Sequence, residues 1–248
     1  NQEMDRLMDG LAADVKVLAG LVPVSLVLGG GYGRGEGGVV LRSGRQAPYN
    51  DLDLVLFVKS SVPGLVSGIQ AVARKYAALL GIHVDISRPI LVSEAKEWPH
   101  YLMWHDLFHG HHELLSDAGS LMGLVPDYIG CCPPKLEATN LLVNRGAGVL
   151  WASMIHHQIV PVEDGDFARR NYFKCGLGLG DAFLIASGIY DGSKTLQEKL
   201  ALLRGLASAL PAEVPSLYSK SVNFKLEPDR IPIDEGATLD ELIWISEL

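Results

Sequence analysis

Two stretches of the sequence carry residues whose types and spacing could do chemistry. The first is a glycine-dense turn after an apolar run, Leu28-Gly-Gly-Gly-Tyr-Gly-Arg-Gly-Glu36. The second holds Asp51 and Asp53 at the start of another apolar run. Residues two apart on a strand point to the same face, so these carboxylates would lie together. Asp85 stands in a third apolar run and would add another carboxylate. Carboxylates beside the N–H groups of a glycine turn favour a divalent cation and phosphate.

These parts stand in an order that resembles a known superfamily. Gly30 and Gly31 follow an apolar residue, an acid–apolar–acid triplet comes next, and a further acid lies on a later strand. This pattern is similar to that of the nucleotidyltransferase superfamily, which includes DNA polymerase beta and the aminoglycoside nucleotidyltransferases. The resemblance covers residues 26–87. One departure is the 19 residues between Gly31 and Asp51, more than is usual in the family. We expect the excess, residues 37–49, to form a loop.

The resemblance implies an activity and roles for the motif residues. The activity is transfer of a nucleoside monophosphate from a nucleoside triphosphate such as ATP to an acceptor hydroxyl, with release of pyrophosphate. Asp51 and Asp53 would hold two Mg²⁺ ions, Asp85 would hold the acceptor-side ion, and Gly30 and Gly31 would contact the phosphates. Three acids at one point would repel one another strongly without cations, which agrees with a metal site. The acceptor would be an unidentified small molecule or protein.

Three basic residues are candidates for contact with the triphosphate. Arg34 lies in the glycine turn and could reach a phosphate oxygen, or pair with Glu36 or Asp53 instead. Helical domains in the superfamily often bring a Lys or Arg to the triphosphate. By this resemblance Lys174 is the first candidate and Arg145 the second. A solvated helix face or an internal salt bridge is the alternative for each of them.

Two other classes of function stay open. The spacing of Gly33, Gly35 and Gly38 matches a dinucleotide-binding fingerprint, but a Gly/Arg/Pro loop follows where that fingerprint requires a helix. The main alternative to an enzyme is a nucleotide-binding or regulatory module with little turnover, such as a toxin–antitoxin-type nucleotidyltransferase partner. Such modules are usually much shorter than this chain.

A histidine-rich stretch follows the predicted sheet. It contains His105, His109, His111 and His112, together with Asp106 and Glu113. A zinc site needs ligands at helical or hairpin spacing and a fourth partner, and the H-E-x-x-H order is missing here. We interpret the stretch as a wall of the acceptor pocket rather than as a metal centre.

Composition limits the class of protein and its partners. The chain has 248 residues, 48% hydrophobic and 20% charged, which is typical of a globular protein. Its net charge of −8 argues against binding to duplex nucleic acid. The three cysteines form no disulfide framework, and neither a signal peptide nor a long apolar run is visible. We therefore expect a cytoplasmic protein that does not enter a membrane. A homodimer is compatible with this sequence.

Periodicity predicts the elements that position these residues. It indicates helices over residues 3–19 and 65–80, and strands over 21–28, 52–58, 83–87 and 90–92. Residues 93–134 would cover the sheet and then form a linker. Helices are expected over 135–158, 167–190 and 195–210, with turns at 163–165 and 191–193. One or two short helices would follow in 213–248, where Leu239, Leu242 and Ile243 have helical spacing.

The fold class that follows is α+β. We expect an N-terminal nucleotidyltransferase domain over residues 1–134, with a small mixed β-sheet and flanking helices. A C-terminal α-helical domain over 135–248 would close over the nucleotide and the acceptor.

Overall fold

The computed structural model describes residues 2–42, 44–161, 166–206 and 210–230. The chain divides between Cys131 and Cys132 into two compact units. The prediction of a mixed α/β protein with a small mixed sheet and helices is confirmed. No helix within the described ranges is long and apolar enough to cross a membrane.

The first unit contains both sheets of the described chain. Its elements are α1 Gln2–Ala19, β1 Val24–Leu28, α2 Gly30–Gly33, β2 Val39–Arg42, β3 Arg45–Pro48, β4 Leu52–Val58, α3 Leu65–Leu80, β5 Val84–Ile86, β6 Ile90–Leu91, α4 Val92–Ala95, α5 Leu102–His109, β7 His112–Ser116 and α6 Leu121–Leu124. A 3₁₀ turn over Asp127–Gly130 follows.

The main sheet is mixed and has the strand order β5-β4-β1-β7, with β6 also pairing with β4. Strand β1 is antiparallel to β4 and β7, whereas β5 and β6 run parallel to β4. Alternation along β4 sends Leu52, Leu54 and Leu56 to the face on which α1 and α3 pack. Phe57 points to the other face, which α4, α5 and α6 cover in part.

Helix α3 shows how closely local sequence sets an element. Its buried residues recur at helical spacing, from Leu65 through Ile69, Val72 and Tyr76 to Leu80. It ends at Gly81, which adopts the left-handed conformation (φ +67°) and donates its N–H to the carbonyl of Ala77. Asp14 of α1 pairs with Lys75 at 2.6 Å. The predicted helices over 3–19 and 65–80 are therefore confirmed.

The expectation that residues 37–49 form a loop is wrong. Strands β2 and β3 form an antiparallel hairpin in which Val39 pairs with Pro48 and Arg42 with Arg45. Gly44, at the turn, has a φ of +76°. The physical reason is the apolar, β-branched start of β2, which outweighs the glycine and arginine content of the segment.

The expectation that residues 93–134 only cover the sheet and link the two halves is also wrong in part. Helices α4, α5 and α6 do cover the sheet, but β7 joins it as an edge strand beside β1. Periodicity missed β7 because it has only two apolar residues, Leu114 and Leu115, between polar ones. An edge strand tolerates that composition, since one side is solvated.

The described part of the second unit is helical. It comprises α7 Leu136–His156, α8 Phe167–Ala186, α9 Leu196–Gly205, α10 Glu213–Leu226 and a 3₁₀ turn at Pro228–Arg230. The predicted turn at 191–193 is present. The turn predicted at 163–165 and the spacing of Leu239, Leu242 and Ile243 lie outside the described residues.

Helix α8 packs against the other helices of this unit because glycines line it. A Cβ on Gly180 would lie 2.3 Å from Tyr218, and a Cβ on Gly178 would lie 2.6 Å from Arg145. Close packing along α8 therefore depends on the missing side chains.

Candidate functional site

Two of the predicted acids lie side by side. The parallel register of β4 and β5 pairs Asp53 directly with Asp85. Both side chains are exposed, whereas the residues on either side of each acid are buried, namely Leu52, Leu54, Val84 and Ile86. The two carboxylates therefore project from the same face of the sheet. Like charges directly opposite each other on neighbouring strands are unfavourable, and a cation between them would remove that cost.

The glycine turn contacts the first of these acids. Gly30 has a φ of +61°, and a Cβ at this position would lie 2.7 Å from Oδ2 of Asp53. The N–H of Gly29 donates to the backbone carbonyl of Asp53 at 2.8 Å. Glycine is required at residue 30 for two reasons, because an L side chain would be strained there and would also displace the carboxylate. Gly31 follows in the same short helix, α2.

Tyr32 positions the chain that leads to the acids. Its hydroxyl accepts hydrogen bonds from the N–H groups of Tyr49 at 2.9 Å and Asn50 at 3.2 Å, and donates to the carbonyl of Gly38 at 2.7 Å. Burial raises the pKa of Tyr32, and the charge of Asp51 adds to that rise. Sequence reasoning gave Tyr32 no role. The sequence signal for such a role is an aromatic residue inside a glycine-rich turn, since a large ring at that position must pack against other residues.

Asp51 does not share the strand positions of the other two acids. It is half-buried and precedes the first residue of β4. No group of three or more His, Cys, Asp or Glu side chains in the described ranges could hold a metal ion. The structure therefore brings Asp53 and Asp85 together, and it does not complete a three-carboxylate group with Asp51. Mutual repulsion opposes such a group when no cation is present. The oxygen donors of Asp53 and Asp85 do suit Mg²⁺, which prefers carboxylate ligands.

Arg34 is engaged by acids of the same unit. Its Nη1 lies 3.4 Å from Asp106 of α5, and its Nε lies 3.9 Å from Glu36. Of the alternatives that the sequence left open, pairing with Glu36 is present. Contact of Arg34 with a phosphate stays a prediction.

Lys174 and Arg145 belong to the second unit. Lys174 lies on α8 and is half-buried. Arg145 lies on α7, packs its stem against Gly178, and places Nη1 3.3 Å from Oδ1 of Asn144. Contact of either cation with a triphosphate stays a prediction.

The histidines hold a backbone segment. His105 Nδ1 lies 2.9 Å from the carbonyl of Ile129, His109 Nε2 lies 2.9 Å from that of Gly130, and His100 Nε2 lies 3.1 Å from that of Cys131. A carbonyl oxygen can only accept, so each of these ring nitrogens carries the proton and donates it. We call His100, His105 and His109 the histidine clasp.

Two other histidines of the stretch lie beside the clasp. His111 donates from Nδ1 to the carbonyl of Leu107 at 3.0 Å, and His112 lies on β7, paired with Leu28 of β1. A role for the stretch as a wall of an acceptor pocket stays a prediction.

Comparison of the chain with protein-family models, with curated proteins and with solved structures finds no match. The functional evidence therefore comes from the site itself. It consists of paired exposed carboxylates, a glycine turn against one of them, and a tyrosine that fixes the approaching chain.

Proposed function

We propose that this protein is a Mg²⁺-dependent nucleotidyltransferase. It would move a nucleoside monophosphate from a nucleoside triphosphate to an acceptor hydroxyl and release pyrophosphate. One observation carries the proposal, namely the direct pairing of Asp53 with Asp85 at exposed positions of parallel strands. Paired carboxylates on neighbouring strands supply oxygen ligands of the kind that Mg²⁺ prefers, and a cation between them would offset their mutual repulsion.

Each site residue has a distinct task in the proposed reaction. Asp53 and Asp85 would hold the metal, with Asp51 joining them when it binds, and Mg²⁺ would supply positive charge to the triphosphate. Gly30 and Gly31 let the phosphates approach the backbone closely, since neither has a side chain. Tyr32 keeps the segment that ends at Asp51 in register with the glycine turn, through the hydrogen bonds to Tyr49 and Asn50.

The proposal extends to the domain organisation and the partners. Residues 1–134 would be the nucleotidyltransferase domain, and residues 135–248 would be the domain that closes over the nucleotide, with Lys174 or Arg145 as a contact to the triphosphate. The helices in the described part of the second unit support this assignment of roles to the two domains. The acceptor would be a small molecule or a protein, because a net charge of −8 disfavours duplex nucleic acid. We propose a cytoplasmic location, because the three cysteines form no disulfide framework.

Calorimetry tests the proposal on the site itself. We expect the wild type to bind ATP more tightly in the presence of Mg²⁺ than in its absence. Asp53→Asn should lose this Mg²⁺-dependent gain in affinity while keeping its fold. Asp9→Asn, which removes an exposed acid from α1, is the matched control and should bind as the wild type does. Equal Mg-ATP affinity in wild type and Asp53→Asn would contradict the metal assignment.

One observation favours the alternative, a nucleotide-binding module with little turnover. The described residues contain no completed group of three acidic or other metal-binding side chains. Such a module would bind Mg-ATP in an Asp53-dependent way but release no pyrophosphate when incubated with ATP and cell extract as a source of acceptors. Pyrophosphate release that Asp53→Asn abolishes would favour the enzyme.

A further inference from the structure

Two arginines face each other at the end of the β2–β3 hairpin. The register of the hairpin pairs Arg42, the last residue of β2, directly with Arg45, the first residue of β3. Both side chains are exposed. Directly opposed like charges weaken a strand pair, so charge repulsion destabilises the tip of this hairpin. An anion bound between the two guanidinium groups would be attracted by both of them and would offset that repulsion.

The pair lies on the face of the hairpin that points towards the protein. Side chains alternate along a strand, so Arg42 shares a face with Val40, which is buried. Across the hairpin, Arg45 shares that face with Ala47, the partner of Val40. The pair therefore extends the inward face of the hairpin to its tip.

One contact ties this face to the strand that carries Asp85. Arg42 Nη1 donates to the carbonyl of Gly81 at 2.9 Å. Gly81 ends α3, and β5 begins three residues later at Val84. Capping of a helix C-terminus by a cation explains the position of Arg42. It gives no reason for Arg45 to stand opposite, and Arg45 has no ion-pair or side-chain hydrogen-bond partner among the residues that the structure describes.

A second link runs through Tyr32. The hydroxyl of Tyr32 bonds to Gly38 just before β2 and to Tyr49 just after β3, so it holds both ends of the hairpin. The charges of Arg42 and Asp51 both act on that hydroxyl, in opposite directions. The hairpin is thus anchored at its base by Tyr32 and at its tip by the contact of Arg42 with Gly81.

We propose that Arg42 and Arg45 together bind a phosphate group of a ligand held at the Asp53–Asp85 site. Two planar guanidinium groups offer several N–H donors in forks that match phosphate oxygens. Residues 37–49, which lengthen the chain between Gly31 and Asp51, would then serve as a phosphate-binding arm. The phosphate belongs either to the nucleoside triphosphate or to the acceptor, and this inference rests on the proposed function.

Binding of inorganic pyrophosphate, measured by calorimetry without divalent metal, tests the pair directly. We expect Arg45→Gln to weaken the affinity about tenfold, which corresponds to the loss of one charge-assisted interaction. Arg42→Gln should weaken it at least as much. Arg74→Gln removes an exposed arginine of α3 and should leave the affinity unchanged. Replacement of Arg45 removes one of two opposed charges, so the unfolding midpoint should stay the same or rise.

A parallel titration with Mg-ATP identifies the source of the phosphate. If Arg45→Gln weakens Mg-ATP binding about tenfold, the pair binds the triphosphate. If Mg-ATP binds equally well but pyrophosphate binding in saturating Mg-ATP falls, the pair binds a phosphate of the acceptor. Pyrophosphate affinity equal in wild type, Arg45→Gln and Arg42→Gln, or no pyrophosphate binding by the wild type, would overturn the inference.

Asp53→Asn separates this inference from the function on which it rests. If Asp53→Asn loses Mg-ATP binding and Arg45→Gln binds pyrophosphate normally, the proposed arginine site is contradicted and the proposed metal site is supported. The reverse pair of results would leave a phosphate site without the proposed metal chemistry.

Discussion

Asp53 and Phe57 lie four residues apart on the same face of β4 and have opposite surroundings. Asp53 is exposed beside the glycine turn, while Phe57 is fully buried. The ring of Phe57 lies 5.4 Å from that of Trp98, which stacks on Trp104 at 3.6 Å. Alternation along the strand decides which face a side chain occupies, and the helices and loops that follow decide whether that face is covered. A charged group is tolerated where the cover stops.

The histidine clasp explains why the cover stays closed at the Phe57 end. His105, itself buried, and His109 hold the carbonyls of Ile129 and Gly130, whose segment lies over the aromatic cluster. At the exposed end, the glycine turn lies against Asp53. One sheet face thus combines a covered apolar half with an exposed polar half, and the two should respond differently to mutation.

The largest expected effect is on stability at the covered end. Phe57→Ala should lower the free energy of unfolding by about 3–5 kcal/mol, because it removes a fully buried ring and leaves a cavity beneath Trp98. Urea unfolding measures this change. Leu79→Ala, at a position 59% exposed on α3, is the control and should change stability by less than about 0.5 kcal/mol. Similar losses of unfolding free energy in Phe57→Ala and Leu79→Ala would show that burial of Phe57 does not stabilise the covered end.

Asp53→Asn should show the opposite pattern. We expect pyrophosphate release to fall about a hundredfold or more, since a group that stabilises charge in the reaction is lost. Its free energy of unfolding should stay the same or rise, because one of two opposed charges has gone. A steady-state assay and urea unfolding on the same preparations measure both quantities. Loss of stability without loss of activity would make Asp53 a structural residue.

Gly30→Ala tests the contact between the glycine turn and the carboxylate. Positive φ costs an L residue about 1–2 kcal/mol, so the free energy of unfolding should fall by that amount. Gly20→Ala carries the same strain (φ +60°) but has nothing within 4 Å of the new Cβ. Both variants should lose similar stability, and only Gly30→Ala should also bind Mg-ATP more weakly, by about tenfold. Equal nucleotide affinity in the two would remove Gly30 from the site.

These contrasts also show what the sequence could predict. Strand β4 and helix α3 begin and end where periodicity predicts them, because their apolar residues recur without interruption. The meeting of Asp53 with Asp85 depends on the register of β4 and β5, which the helix between them separates along the chain. Periodicity within each strand does not specify that register. The paired strands β2 and β3 and the edge strand β7 were missed because their stabilising partners are tertiary or cross-strand.

The smallest effect we expect is the dependence of stability on pH at the histidine clasp. Burial lowers the pKa of His105 below its ordinary value of 6.5, the positive charges of His109 and His100 lower it further, and Asp106 and the bond to Ile129 oppose the change. The unfolded chain therefore takes up this proton before the folded protein does. Stability from this group is complete above pH 6.5 and is lost as the pH falls towards the folded pKa.

Urea unfolding between pH 7.5 and pH 5 should show this loss of stability in the wild type, because that range spans the ordinary histidine pKa of ~6.5. His105→Gln removes the titrating ring while keeping an N–H that can donate to Ile129, so its stability should decline less over the same range. His83→Gln replaces an exposed histidine and should follow the wild type. If all three declined in parallel, protonation of His105 would not open the covered half, and other groups would account for its acid sensitivity.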